Sequence, residues 1–149
     1  MSQTMVPGRQ IARIALPPDL VDELQRNQQN GCVGTELVSE TDRVRVWVIR
    51  LKPGERIGFH KHVLDYFWTS LFAGRARSNH EDGATYETEY YAGETQHARY
   101  AAGEYKIHDL ENIGNTDLVF STVEFLDSAN APLPIPDAVR LKAPAKLMS

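Results

Sequence analysis

The stretch 58-GFHKHVLDYFW-68 places two histidines one residue apart, directly ahead of a run of large apolar side chains. In an extended strand, successive side chains alternate faces, so His60 and His62 point the same way. Two imidazoles on one face are part of a metal site, and they imply a third ligand elsewhere in the chain. The stretch follows Pro53–Gly54, a turn signal, and reads as a strand entering a core.

Working outward, the neighbouring segments have the same texture. Residues 43–51 (RVRVWVIRL) are rich in β-branched side chains, and KPGE turns them. NHEDG is a hairpin turn into ATYETEYY, AGE leads into TQHARYA, a second AGE leads into YKIHDLEN, and GNTD leads into LVFSTVEFL (118–126). Short strands at this spacing predict an all-β sandwich or barrel. One helical pattern precedes them, PPDLVDELQRNQQNG, with Asp19 as N-cap, apolar Leu20, Val21 and Leu24, and Gly31 as its stop. The expected organisation is an arm and short helix over 1–30, a β-barrel over 31–127, and a Pro/Ala-rich tail over 128–149. The tail is expected to lie loosely over the surface or a neighbouring subunit.

Composition narrows the class. The chain has 149 residues, 42% of them hydrophobic, which suits one domain with a real core. No apolar run is long enough to span a bilayer, and arginines interrupt the N-terminal segment where a secretory signal would need an apolar stretch. The net charge of −4 argues against a nucleic-acid footprint. The single cysteine, Cys32, has no internal disulfide partner, which fits a cytoplasmic protein. It reads as a small semi-buried residue.

Five histidines are available for the missing ligand. His80 lies in a hairpin turn and is expected to be solvated. His97 shares a strand face with Arg99, whose charge disfavours a metal, so it reads as structural or substrate-facing. His108 follows a glycine turn in a strand and is the best third ligand.

At this point the residues resemble a family. PGERIGFHKH, with Gly74 beyond it, is similar to the first motif of the cupins, the small RmlC-like β-barrel proteins. AGETQHARYAAGEYKIHDLEN resembles their second, in which a glycine turn leads to a histidine and then, after three residues, to an asparagine. The resemblance covers about residues 43–126. It implies an antiparallel jelly-roll barrel that holds a metal inside on His60, His62 and His108. The chain departs from the pattern twice. The usual glutamate beyond the second histidine is replaced by Tyr66 or Phe67, with Asp65 one position early. His108 also stands two residues late, where the pattern places Lys106, although a two-residue shift keeps the same strand face.

Three neutral imidazoles leave an ion fully charged with open positions. Some cupin-like dioxygenases use three histidines without the glutamate, so the resemblance implies a non-haem Fe(II) dioxygenase acting on a small oxygenated molecule. Zn, Ni or Mn are the alternative metals, and a non-redox metal-dependent isomerase, lyase or hydrolase, or a small-molecule binding protein without turnover, are the alternative functions. Three further residues are candidate catalytic groups. Tyr66 would put its hydroxyl near the metal if its strand ran on unbroken, or would be a core aromatic. Asp65 would orient a ligand histidine, hold a turn, or become a fourth metal ligand if the strand bends inward after His62. Glu124 would be a general base of raised pKa or, as the expected placement, point to solvent at the sheet edge. Arg99 and Lys106 would bind an anionic substrate or sit on exposed faces. Phe59, Phe67, Trp68 and Phe72 read as barrel filling. Alternating Val and Trp in 43–51 with no obvious cover predict a homodimer or larger assembly.

Overall fold

The computed structural model describes residues 8–11 and 15–143. Among these, ten strands form two five-stranded antiparallel sheets. The strands are β1 (Arg9–Ile11), β2 (Glu36–Glu40), β3 (Val44–Leu51), β4 (Arg56–His62), β5 (Tyr66–Ser70), β6 (Gly74–Asn79), β7 (Thr85–Tyr90), β8 (Thr95–Ala98), β9 (Lys106–Asn112) and β10 (Leu118–Phe125). One sheet runs β1-β7-β6-β9-β4 and the other β2-β3-β10-β5-β8. The expected jelly roll is therefore two facing sheets whose hydrogen bonds do not close around a barrel. The helix α1 (Pro18–Arg26) lies on the outside of the first sheet, where Leu24 packs on Phe59 and Ile107.

Period-two alternation puts Ile49, Leu51, Ala76, Leu110, Leu118 and Phe120 between the sheets as the main core. Tight turns set the strand starts. Gly54 and Gly103 open β4 and β9 with φ of 85° and 84°, in the left-handed region. A Cβ at either would meet nothing within 4 Å, so the backbone angle, and not crowding, calls for glycine.

Several expectations are corrected. Asp19 is not the helix cap. Pro18 occupies the first turn, the Pro17 carbonyl accepts from the Leu20 and Val21 N–H groups, and Asp19 sits inside the first turn. The helix ends at Arg26, with Asn27 and not Gly31 at its stop. Of the four aromatics expected to fill the interior, Trp68 packs against the main core, on Phe120 and Tyr90. Phe59 lies under α1, Phe67 packs on His97 and Phe125, and Phe72 is exposed in a loop. The tail is not loose as far as Ala143. Ile135 and Val139 pack on the cluster of Val33, Leu37 and Trp47, and the Leu133 carbonyl accepts from Arg45. The Leu141 N–H donates to the Leu37 carbonyl. No helix is long and apolar enough to cross a membrane among the described residues.

Candidate metal centre

The central strands of the site are β4 and β9, which pair antiparallel with His60 opposite His108 and His62 opposite Lys106. The register slips between Ile57 and His60, where β4 carries one extra residue against β9. This is a β-bulge. It turns Phe59 outward beneath α1 while Ile57 and His60 both face inward. Glu23 of α1 holds the bulge from behind: its Oε2 accepts from the Phe59 N–H at 2.9 Å, and both its oxygens accept from Arg56, at 2.8 and 2.7 Å. A Cβ at position 58 would come within 3.1 Å of that carboxylate, so Gly58 gives it room.

His60, His62 and His108 each bring one ring nitrogen within 4.8 Å of the others, and they form the only such cluster found among the described residues. His60 and His62 are buried and His108 is nearly so. The Gly58 carbonyl can only accept, so the His60 Nδ1–H donates to it at 2.8 Å and Nε2 keeps its lone pair. Ser78 donates its hydroxyl proton to the Asp109 carbonyl at 2.7 Å, so its Oγ accepts from His108 Nδ1 at 3.2 Å. That fixes the lone pair of His108 on Nε2 as well. His62 Nε2 lies 3.1 Å from His108 Nε2, and His62 Nδ1 is buried with no partner. Hydrogen bonding within the triad alone is thus incomplete. Burial pushes His60 down to about 4, and burial with neighbouring positive charge pushes His62 and His108 well below the usual histidine range. Three neutral nitrogen donors converging on one point fit a divalent transition ion.

The triad lines a small chamber of about 60 Å³ whose other walls include Ile49, Phe120, Tyr90 and Leu110. Trp68, Tyr90, His108 and Leu110 also line a larger cleft of about 590 Å³, so the chamber lies at the inner end of that cleft.

The remaining candidates fall in different places. Tyr66 is not on the same strand as the HxH pair, because the chain leaves β4 after His62 and enters the opposite sheet. It nevertheless stacks on His62, with ring centroids 4.2 Å apart, and hydrogen-bonds Tyr100. Burial raises the Tyr66 phenol well above its ordinary range. Asp65 does not contact a histidine; its Oδ1 accepts from the Tyr100 N–H at 2.9 Å, which is the turn-holding placement. Glu124 does not face solvent. It shares the inward face of β10 with Leu118, Phe120 and Thr122, and accepts from the Trp47 indole N–H at 2.7 Å. Burial pushes its carboxyl up to about 7 against the opposing bond from Trp47. His80 is not solvated either: it is half-buried, its ring 5.4 Å from His108 and 4.7 Å from Tyr86, and burial lowers it to about 4. His97 is exposed, packs against Phe67 and lines neither the cleft nor the chamber. Arg99 is exposed, whereas Lys106 points into the cleft, with burial lowering it to about 8.

Ser78, Glu23 and the bulge were missed from the sequence. A glycine inside the strand pattern RIGFHKH is a recognised bulge signal and was the one available clue.

No family model matches the sequence, and no curated protein matches it. Solved structures do. A cupin domain from Bordetella pertussis Tohama I aligns at 25% identity with a TM-score of 0.51, over 58% of this chain and 85% of that one. A protein with a double-stranded β-helix domain from Klebsiella pneumoniae aligns at 27% identity and a TM-score of 0.49, over 63% and 76% of the two chains. An RmlC-like cupin family protein from Methanocaldococcus jannaschii aligns at 21% and 0.46, over 60% and 76%.

Proposed function

Because the chain is a cupin by fold, we propose that it is a metal-dependent enzyme. In this reading it holds one divalent transition ion on His60, His62 and His108 and acts on a small oxygenated organic molecule, as a non-haem Fe(II) dioxygenase. The observation that carries the reading is the donor set: three neutral imidazoles with no carboxylate among them, at the inner end of a cleft. Fe(II) on such a set supplies redox chemistry and open positions for oxygen ligands.

The chain's own residues do the positioning. Gly58 and Ser78 fix the tautomers of His60 and His108, so their ligand nitrogens need no proton rearrangement. The largely apolar chamber walls, Ile49, Leu110 and Phe120 among them, lower the local polarity, which strengthens electrostatic interactions inside. Tyr66 holds the His62 ring by stacking, and its bond to Tyr100 links the chamber to the wall of the larger cleft. Glu124, the cross-strand neighbour of Tyr66, holds Trp47 behind it. Asp65 braces the turn between the sheets.

The test is metal analysis of protein purified without chelator, followed by anaerobic Fe(II) loading and an oxygen-uptake screen of small carbonyl and enol compounds. Near-stoichiometric metal that is lost in each of His60→Ala, His62→Ala and His108→Ala is expected. Full metal content in folded His108→Ala would overturn the ligand set. Bound metal without oxygen uptake across the screen would move the reading to non-redox chemistry.

A further inference from the structure

We propose that the cleft selects an organic acid, a carboxylate carried on a flat aromatic or conjugated body, and that Lys106 is the residue that binds its carboxylate. This deepens the metal-enzyme reading and rests on it for the location of the reacting end.

The placement of Lys106 follows from the strand. It stands two residues before His108 on β9, so the two side chains share a face, and it pairs across the ladder with His62. Its side chain lines the large cleft, and its Nζ lies 5.7 Å from the centre of the Tyr66 ring. It is the one lysine or arginine among the described residues lining that cleft. No described carboxylate forms an ion pair with it. Two glutamates do line the same space, but both are committed to their own turns. Glu94 accepts from the Tyr91 N–H at 3.2 Å, and Glu104 accepts from the Ala101 N–H at 2.7 Å. A half-buried ammonium with no counter-ion is costly to maintain, and a bound anion removes that cost.

The walls specify the rest of the molecule. Trp68, Tyr86, Tyr90 and Tyr100 present ring surface to the cleft, which suits a flat, weakly polar body. A volume of about 590 Å³ falls within the usual range for small-molecule sites. One cation provides for a single negative charge, whereas a phosphate ester calls for several donors around its oxygens. An acid held on Lys106 has its body beside His62 and His108, the two triad members nearest that lysine in the ladder.

The test uses benzoate and cinnamate against benzamide and cinnamamide. Binding is measured by calorimetry on the full-length protein, both Zn(II)-loaded and metal-free, the redox-inert ion preventing turnover. The acids should bind roughly tenfold or more tightly than the amides in both forms, since a charge-assisted bond is lost with the amide. Lys106→Met should abolish the preference while keeping wild-type metal content, and Lys106→Arg should retain it. Equal binding of acid and amide, no binding of any probe at millimolar concentration, or a preference that survives Lys106→Met would overturn the proposal. If Lys106→Met does not fold, the acid–amide comparison in the metal-free wild type decides. A lysine-dependent preference in protein that takes up no metal would uphold the anion site and refute the metal reading. Stoichiometric metal without the preference would do the reverse.

Discussion

Replacing Glu124 with glutamine should stabilise the protein at about pH 8 and leave its stability near pH 4 unchanged. In the folded chain burial between the sheets pushes the carboxyl up to about 7, from an ordinary value of 4.5. Between those two pH values the folded state carries a proton that the unfolded state has released, so stability falls as pH rises through the window and levels off above it. The difference of about 2.5 units corresponds to about 3 kcal/mol at 1.36 kcal/mol per unit. Glutamine keeps an oxygen to accept the 2.7 Å bond from the Trp47 indole and never ionises. With stability near pH 4 unchanged, the expected gain at pH 8 is the same difference, about 3 kcal/mol. At this chain length that is a rise in Tm of several degrees. The buried histidines titrate with the opposite sign. His60, lowered to about 4, adds stability as pH rises from there toward its ordinary value. That contribution is common to both proteins and cancels in the difference. The assay is urea unfolding of both proteins at half-unit steps from pH 4 to 8. A wild-type-minus-variant difference that is flat across this range would refute the buried, raised-pKa placement of Glu124.

Ser78→Ala should leave the fold intact and weaken metal binding roughly 10- to 100-fold, as measured by competition with a chromophoric chelator, because it removes the acceptor that fixes His108 Nδ1. Asp65→Asn should retain full metal content and lose less than about 1 kcal/mol of stability in urea, since an amide oxygen can still accept from the Tyr100 N–H. Loss of metal in folded Asp65→Asn would contradict the turn-holding role. We also propose that the chain assembles as a homodimer or larger. Val46, Val48, Phe67 and Val123 remain partly exposed and Phe125 exposed in the sheet that carries β3, β5 and β10. Sedimentation at micromolar concentration should therefore give at least twice the monomer mass, and a monomer would contradict it.

The turn-and-strand texture was sufficient to read an all-β fold of short antiparallel strands, though not that its two sheets stay unclosed, because glycine turns and period-two alternation are local signals. The pairing of His60 with His62 was legible for the same reason, and His108 followed from its place after the Gly103 turn. What alternation does not provide is which face is the inside. Glu124 reads as solvent-facing and Lys106 as either on an exposed face or in an anion site, yet each shares its strand face with residues that point inward: Phe120 and Thr122 in one case, His108 in the other. The partner that makes Glu124 tolerable inside is an indole 77 residues away, and no window of sequence reveals it. His80 was misread because a hairpin turn is usually exposed, whereas this one folds back to bridge His108.

The bulge at Gly58–Phe59 explains why a helix sits on the outside of this sheet at all. An unbroken strand from Ile57 would put Phe59 between the sheets and turn both histidines away from the chamber. The extra residue reverses this, and it leaves Phe59 an apolar side chain on an outer face that needs cover, which Leu20 and Leu24 of α1 supply. The same helix contributes Glu23, which accepts from the Phe59 N–H and from Arg56. Arg56 in turn reaches Asp109, next to His108, and Asp109 also accepts from the Asn79 side chain. One guanidinium therefore ties the back of the His60 strand to the back of the His108 strand. This part of the polar bracing lies on the outer face, while on the inner face Ser78 and Tyr66 touch His108 and His62 directly. The strands that carry His60 and His108 are in this sense tied together from outside the sandwich as well, by residues that do not line the chamber.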